Sequence, residues 1–388
     1  MYRYGIIAIG YNRVNSIKRL LNALKSAEYK GQSVTLIISI DHSEDGEVEA
    51  YANDFEWTYG NKIVKAYQKR LGLREHVLLC GTYLEEFDLD AVAVFEDDIY
   101  PSNAFFNYMC QVVPFYMDDP NIAGISLYTH LWNVNAAMPF QPAYNGFDNF
   151  FMYFAQSWGQ VWTKNQWKDF MEWYKNNIDL SLVSNIPDYV KCWPESSWLK
   201  YHIAYCMSEK KCFVYPYHSL ATCVAEAGEH TAYDTNIYEV PLEKNSEKIY
   251  TFQKWNSDAV QYDAFFERVG IGRKIGIDEN ELCVDLYGSK GNRENKRYWL
   301  TRNSVNYLVK QSYALKMRPH EENIIQRIQG LDIFLYDTSQ EAERPQKKYH
   351  ELSFYFRLEC DEVRLINFLL KKKFTRVWKR VLERIRKV

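Results

Sequence analysis

Ala91-Val92-Ala93-Val94-Phe95-Glu96-Asp97-Asp98-Ile99-Tyr100-Pro101-Ser102 is the stretch from which the fold can be read. Small and β-branched apolar residues and a Phe run straight into three consecutive carboxylates, then into a Pro and a Ser suited to cap a helix. An apolar run of this length, bounded by turn residues, reads as a strand buried on both faces of a parallel sheet. Three acids at its carboxyl end repel one another unless a cation neutralises them. In open α/β sheets the ligand crevice lies outside the carboxyl ends of the strands. A divalent cation holding a phosphorylated ligand there accounts for the cluster, with a solvated acidic loop as the plainer alternative.

Upstream, strand and helix patterns alternate. Gly5 to Ile9 reads as a strand, followed by Gly10-Tyr11-Asn12-Arg13 and a helix capped by Asn15 or Ser16. Ile17, Leu20, Leu21 and Leu24 give that helix an apolar face at offsets of three, four and seven. A second strand, Val34 to Ile40, ends in Asp41-His42-Ser43-Glu44-Asp45-Gly46. A helix near 48–57, a strand at 62–67 and a helix near 73–87 lead into the central strand. Four alternations in about a hundred residues predict a parallel, doubly wound α/β layout. Neither GxGxxG nor GxxxxGK[ST] is present, so phosphates would need another holder than a Gly-rich loop. Arg13 and Asp41 fall at the ends of the first two strands, which brings both to one crevice. There an Arg suits a phosphate, and an Asp suits a base N–H or a ribose hydroxyl.

Downstream, Ser102 is predicted to cap a helix to Phe115, followed by a strand from Ile122 to Leu127. Thr129 to Asn149 is a long, weakly charged segment of the kind used for binding loops and lids. An aromatic segment, Phe150 to Gln160, carries Trp158 and precedes a helix from about Lys164 to Tyr174. Asp188-Tyr189-Val190-Lys191-Cys192-Trp193-Pro194-Glu195-Ser196-Ser197-Trp198 opens a helix to about Met207. Strands at Cys212–Tyr217 and Ala221–Val224 lead to Gly228-Glu229-His230. Past 245 the character changes: a charged linker, a helix-like 259–269, a strand at 282–288 and a polar 340–348. The expected division is a nucleotide-binding and catalytic domain over 1–245, an accessory region over 246–345 and a helical, basic segment over 346–388.

Composition bounds the function. The 388 residues carry 47% hydrophobic and 16% aromatic side chains, ample for a large core. A formal charge of −3 argues against a nucleic-acid binder. Eight cysteines form no CxxC pair, and several fall in apolar segments, which predicts free thiols in a reducing compartment. No apolar run is long enough to span a membrane, and the cytoplasm is the expected location. The C-terminus stands apart. Residues 371–388 hold nine Lys or Arg and one acid, a net +8 that leaves −11 on the rest. Phe374, Val377, Trp378, Val381, Ile385 and Val388 recur at steps of three and four, which suits a helix lying on an anionic membrane surface.

The ordered set Ile9-Gly10-Tyr11-Asn12-Arg13, Ser39-Ile40-Asp41 and Phe95-Glu96-Asp97-Asp98-Ile99 resembles GT-A-fold glycosyltransferases. The nearest relatives in pattern are the N-acetylglucosaminyltransferase I family and bacterial family-2-like polysaccharide transferases. The resemblance covers roughly residues 4–240. It implies a GT-A-type, mostly parallel α/β domain with a smaller C-terminal α+β or helical region. The acidic triplet would play the part of the DxD motif. Asp98 would bind Mn2+ (or Mg2+) bridging the diphosphate of a UDP-sugar, with Asp97 and Glu96 against the ribose and sugar. Arg13 matches an arginine near the nucleotide, and Asp41 an aspartate that reads uracil. Trp158 would be a stacking platform, and His230 would contact phosphate or metal from a closing loop. Trp193 and Trp198 match the tryptophans of a Trp-Asp-Asp-Trp-like stretch that supplies the catalytic base. Glu195 is the only carboxylate between them here, with Asp188 in reserve, although Ser196-Ser197 and an extra residue depart from the pattern.

The reaction so implied is inverting transfer of a sugar to a glycan or lipid-linked oligosaccharide in surface-polysaccharide assembly. The basic tail would hold the protein peripherally on the cytoplasmic face of the inner membrane. Two alternatives stay open: a sugar-phosphate nucleotidyltransferase and a non-catalytic module that binds nucleotide-sugar or glycan at the membrane.

Overall fold

The computed structural model describes residues 2–183, 186–224, 238–290, 293 and 295–346, together with 363, 366, 367, 370, 371, 373 and 374. Alternating elements fill its first hundred positions: β1 (Tyr4–Gly10), α1 (Val14–Lys25), β2 (Val34–Ile40), α2 (Glu47–Asp54), β3 (Lys62–Ala66), α3 (Leu73–Cys80), α4 (Tyr83–Glu86) and β4 (Ala91–Glu96). Then come β5 (Ile99–Pro101), α5 (Phe105–Tyr116), β6 (Ile122–Ser126), β7 (Trp132–Asn133), β8 (Met138–Pro139), β9 (Asn149–Met152), β10 (Gln160–Thr163) and α6 (Lys164–Asn176). After these lie α7 (Asp188–Lys191), α8 (Leu199–Ser208), β11 (Cys212–Pro216), β12 (Ala221–Cys223) and β13 (Gln261–Tyr262). The chain closes with α9 (Ile271–Ile275), β14 (Leu282–Asp285), β15 (Tyr298–Thr301), β16 (Tyr307–Tyr313), α10 (Glu322–Ile325) and β17 (Ile333–Glu341).

Nine strands form one sheet in the order β13-β9-β11-β6-β10-β4-β1-β2-β3. The mixed α/β fold is therefore built on a large, mostly parallel sheet. β3, β2, β1 and β4 run parallel; β1 and β4 at the centre carry the apolar runs of strands covered on both faces, every residue of β1 is buried, and the edge strand β3 is half-buried. The two sheet faces bury separate cores. Ile6, Leu36 and Phe95 pack with Leu20 of α1 and Val112 of α5, whereas Ile7, Ile37 and Val92 pack with Val77 of α3, Trp167 of α6 and Ile203 of α8.

Several expectations shift. The single helix expected over 73–87 is broken between α3 and α4, because a Cβ on Gly81 would sit 1.8 Å from the Trp167 ring; the chain turns there to seat that indole. The aromatic segment after 149 supplies β9 and β10, and β10 enters between β4 and β6, antiparallel to both. Past residue 245, β13 joins the large sheet and Tyr250 packs edge-on to Tyr108 of α5 at 4.9 Å. Residues 259–269 are not helical. The Asp263 carboxylate accepts the Phe265 and Glu267 amides at 2.8 and 2.9 Å, a local turn that competes with helix. Beyond Gly270 a four-stranded sheet, β14-β15-β17-β16, closes its own core around Leu282, Leu300, Tyr313 and Leu335.

The described cysteines are free thiols. Among the described residues no helix is long and apolar enough to cross a membrane. His230 and Gly228 lie outside the described residues. So does most of the basic segment 371–388, of which Lys371, Lys373 and Phe374 are described, helical and exposed.

Candidate functional site

A cavity of about 820 Å³ opens above the carboxyl ends of β1, β2 and β4. Arg13, Asp41, Glu96, Asp97, Asp98 and Trp158 all line it, so the fold brings most of the residues singled out from sequence into one crevice. Strand ends do this work: β1 and β4 pair in register from Tyr4↔Ala91 to Ile9↔Glu96, which carries the Gly10–Arg13 turn over the acidic triplet.

Arg13 is the residue before α1, which begins earlier than an Asn15 or Ser16 cap would set. Its guanidinium pairs with the Asp97 carboxylate through Nε at 3.2 Å and through Nη2, and it lies 3.6 Å from Asp98. Burial alone would lower the Arg13 pKa, but Asp97 and Asp98 outweigh it and hold the guanidinium charged. The triplet is short of positive charge. Burial, then Asp98 and Asp97, push Glu96 up to about 8. Burial also raises Asp97 to about 6 against the pull of Arg13, and raises Asp98. Arg13, helped from farther off by the charge of Arg19 on Asp97 and Asp98, leaves three part-desolvated carboxylates with an excess that a cation would relieve.

Could these residues hold a metal? Among the described residues no three His, Cys, Asp or Glu side chains converge as an all-protein metal site. Asp97 is engaged by Arg13, whereas the Asp98 side chain keeps 30% exposure toward the cavity. One open carboxylate fits a Mg2+- or Mn2+-type ion carried in with phosphate oxygens, the usual arrangement for cations that arrive with a nucleotide.

Asp41, on the cavity wall, is also tied to the backbone. Its carboxylate accepts three backbone amides: His42 at 2.9 Å, Leu71 at 2.8 Å and Gly72 at 2.9 Å. It thereby fixes the loop before α3, which carries Arg70. That guanidinium stacks over Tyr11, 4.5 Å from the ring centroid, on the cavity wall. Sequence gave no sign of Arg70. Nor did it reveal the buried chain in which Ser39 Oγ contacts His76 Nε2 at 2.7 Å and Tyr83 OH at 3.1 Å, with Tyr67 OH 2.5 Å from Tyr83 OH. His76 lines the cavity and is pushed down to about 4 by burial, so it is neutral there.

The opposite end of the cavity is aromatic. Gly159, at φ +95°, turns the chain into β10; a Cβ there would come within 2.9 Å of Ala221 Cβ. Just before it, Gln156 Oε1 accepts the Ser157 and Trp158 amides at 2.7 and 3.1 Å, and its Nε2 meets His130 at 3.0 Å. This pins Trp158 against Tyr128 and Tyr238, with ring centroids at 4.8 and 4.7 Å.

Glu195 lies off the cavity wall, although Trp193, Pro194, Ser197 and Trp198 line it. Its side chain is 81% exposed and held by Lys200 Nζ at 2.7 Å and Tyr201 OH at 3.2 Å, with Arg74 at 3.7 Å. The Lys200 hydrogen bond and charge lower its pKa, which disfavours a base. Ser197, two positions on, faces the cavity. Asp188 also stands outside the lining, beside Lys191. Trp198 instead lies in hydrogen-bonding contact with Glu96, where the charged and aromatic ends meet.

No protein-family model matches the chain, and no curated protein matches it. Similar solved structures include residues 1–349 of S. aureus TarS in complex with UDP-GlcNAc: 14% identity, 59% of this chain and 60% of that one, TM-score 0.38. Another is the mannosyltransferase PcManGT from Pyrobaculum calidifontis in complex with GDP-Man and Mn2+: 15% identity, 44% and 46% coverage, TM-score 0.31. The chain matches less than two thirds of the length of either.

Proposed function

We propose that this chain is a metal-dependent glycosyltransferase of GT-A type that moves a sugar from a nucleoside-diphosphate sugar, a UDP-sugar in the first instance, to an acceptor hydroxyl. The observation that carries the reading is the Arg13–Asp97–Asp98 cluster, set at strand ends over a cavity large enough for a nucleotide-sugar. Arg13 would face the diphosphate, with Arg70 and Tyr11 closing the nucleotide end. Asp98 would hold the metal, which supplies charge stabilisation to the departing diphosphate.

The reaction proposed is direct displacement with inversion. Direct displacement asks of the protein one base and a stabilised leaving group, and no covalent carboxylate. The acceptor oxygen bonds to the anomeric carbon as the carbon–oxygen bond to phosphate breaks, and the electron pair leaves on the diphosphate. With Glu195 turned away, the acceptor proton is assigned to Glu96, the carboxylate that reaches the aromatic end at Trp198.

Calorimetry with UDP, GDP and CDP, in manganese and in chelator, tests the reading. Manganese-dependent binding of one nucleotide is expected; binding of none would leave a non-catalytic module as the better account. The setting at a bacterial inner membrane, with a lipid-linked or surface-polysaccharide acceptor, belongs to the same proposal and rests on the basic composition of 371–388. Truncation before Lys371 should release the protein from anionic liposomes, and undiminished binding would refute that part.

A further inference from the structure

Phe266 is a bulky aromatic residue held at φ +66°, in the left-handed region that such side chains rarely adopt. It is buried in a turn that follows β13 and is closed by the pairing of Tyr262 with Arg268. Within the turn the Asp263 amide donates to the Glu267 carbonyl at 2.9 Å, and the Phe266 amide to the Asp263 carbonyl at 3.0 Å. The small sheet grips it from outside. Lys290 Nζ donates to the Asp263 carboxylate at 2.6 Å, and the Tyr287 amide to Glu267 Oε1 at 2.8 Å; both donors lie just beyond β14. Backbone strain of this kind persists only where the surroundings over-determine it, and it gathers where a side chain must be aimed.

The ring is aimed at the back of the cavity. Phe266 stands edge-on to His130, with centroids 4.9 Å apart, and tilted against Phe154 at 5.6 Å; both partners line the cavity. The same turn accepts the Asn133 side-chain amide on the Phe265 carbonyl at 3.3 Å and that of Asn135 on the Ala264 carbonyl at 3.0 Å. His130 in turn decides how Gln156 lies. Gln156 Oε1 is occupied by the Ser157 and Trp158 amides, so its Nε2 is the donor in the 3.0 Å contact, and His130 Nε2 accepts. Burial pushes His130 down to about 3, which keeps the ring neutral and able to accept. That contact turns the carboxamide oxygen toward the two amides.

We propose that Phe266 is a positioning residue: through the 263–267 turn the small sheet holds this ring against His130, and His130 with Gln156 then sets the turn that carries Trp158. The accessory region thereby gains a part in shaping the cavity. The inference concerns the wall whatever the cavity binds, so it stands or falls apart from the glycosyltransferase reading.

The test is amide hydrogen exchange at Ser157 and Trp158 in the full-length protein. Phe266→Gly removes the ring while suiting the backbone angle, which separates the ring's effect from the strain. Exchange at both amides should rise about tenfold or more, as a local opening made easier would give. The Leu71 and Gly72 amides, also loop amides held by a side chain, are the control and should keep the parent rate within about twofold. Phe266→Leu, which retains an apolar side chain, should recover most of the protection. Lys290→Met cuts a small-sheet tie without touching the wall and should also raise exchange at Ser157 and Trp158; it asks the same question if Phe266→Gly does not fold. Unchanged exchange at the two amides overturns the inference, and so does an equal rise at Leu71 and Gly72, which would make Phe266 an ordinary core residue. A response to Phe266→Gly but none to Lys290→Met would refute the small sheet's share in it.

Discussion

Arg13 and Asp97, 84 positions apart in the chain, meet as a two-point ion pair across the tops of β1 and β4. The pair keeps one guanidinium charged, half-buried and on the cavity wall. Arg13→Ala should therefore weaken nucleoside-diphosphate binding about tenfold or more, because a buried charge-assisted contact is lost and Asp97 is left unpaired. Titration calorimetry checks this; unchanged affinity would remove Arg13 from the site.

Asp98→Asn separates the metal from the arginine. The amide keeps the shape but loses the charge, so the manganese-dependent part of the nucleotide affinity should vanish while the part measured in chelator survives. An equal loss under both conditions would mean that Asp98 acts through Arg13 and not through an ion.

Asp41 holds a loop, and its replacement should look like a stability defect first. Asp41→Asn keeps one acceptor oxygen and turns the other into a donor, so at least one of the three backbone amides loses its partner and faces an N–H, at a cost of about 1–3 kcal/mol. Thermal melts should show that loss with or without nucleotide present. A variant that melts normally yet discriminates poorly among UDP, CDP and GDP would restore base reading to Asp41.

Glu195→Gln should leave kcat within about twofold, since an exposed ion pair contributes little and the group lies off the cavity. Glu96→Gln should abolish turnover and retain nucleotide binding. The reverse outcome would return the base to Glu195.

The junction of the two sheets carries a pH signature. Burial, then Asp285, raise Glu267 to about 8, Asp263 adds to this, and Lys290 opposes it. Its carboxyl touches the Tyr287 amide at 2.8 Å. The folded chain thus keeps a proton that the unfolded chain releases near 4.5. Stability from this group is complete below about pH 4.5 and is lost as pH rises through about 8, at roughly 1.4 kcal/mol per pH unit. Glu267→Gln cannot titrate, so its melting temperature relative to the parent should climb between pH 5 and 9, as estimated from the same linkage. Parallel curves would show that Glu267 is ionised in the folded protein.

Much of the large sheet was legible because period and burial agree there: β2 runs over the residues its apolar run marks, and the acidic triplet sits at a strand end above a crevice. The register of β1 on β4 then delivers Arg13 without further information. What sequence could not show were contacts made at a distance. Gly81 is an unremarkable residue until Trp167 claims its space. Asp41 looks free for a ligand until the 71–72 amides arrive from 30 residues on. Glu195 fits a motif by order along the chain, but Lys200 and Tyr201 hold it off the cavity. Residues 246–270 looked like a linker and a helix because their partners, β9 and α5, lie over a hundred positions earlier.

The antiparallel entry of β10 between β4 and β6 ties assembly to function. β4 finishes at Glu96, yet its neighbour on that side is not synthesised until Gln160. The first four parallel strands can associate early, but the two halves of the sheet join only when that later strand threads the gap, a long-range closure of the slow kind. Pulse-labelled hydrogen exchange would show the Val92–Val94 amides protected in step with those of Val161 and Trp162, and independent protection would disprove it. The turn that precedes β10 carries Trp158. The seam that joins the two halves of the sheet is thus also the one that seats the aromatic wall beside the acids, so a chain with a half-made site is a chain not yet folded.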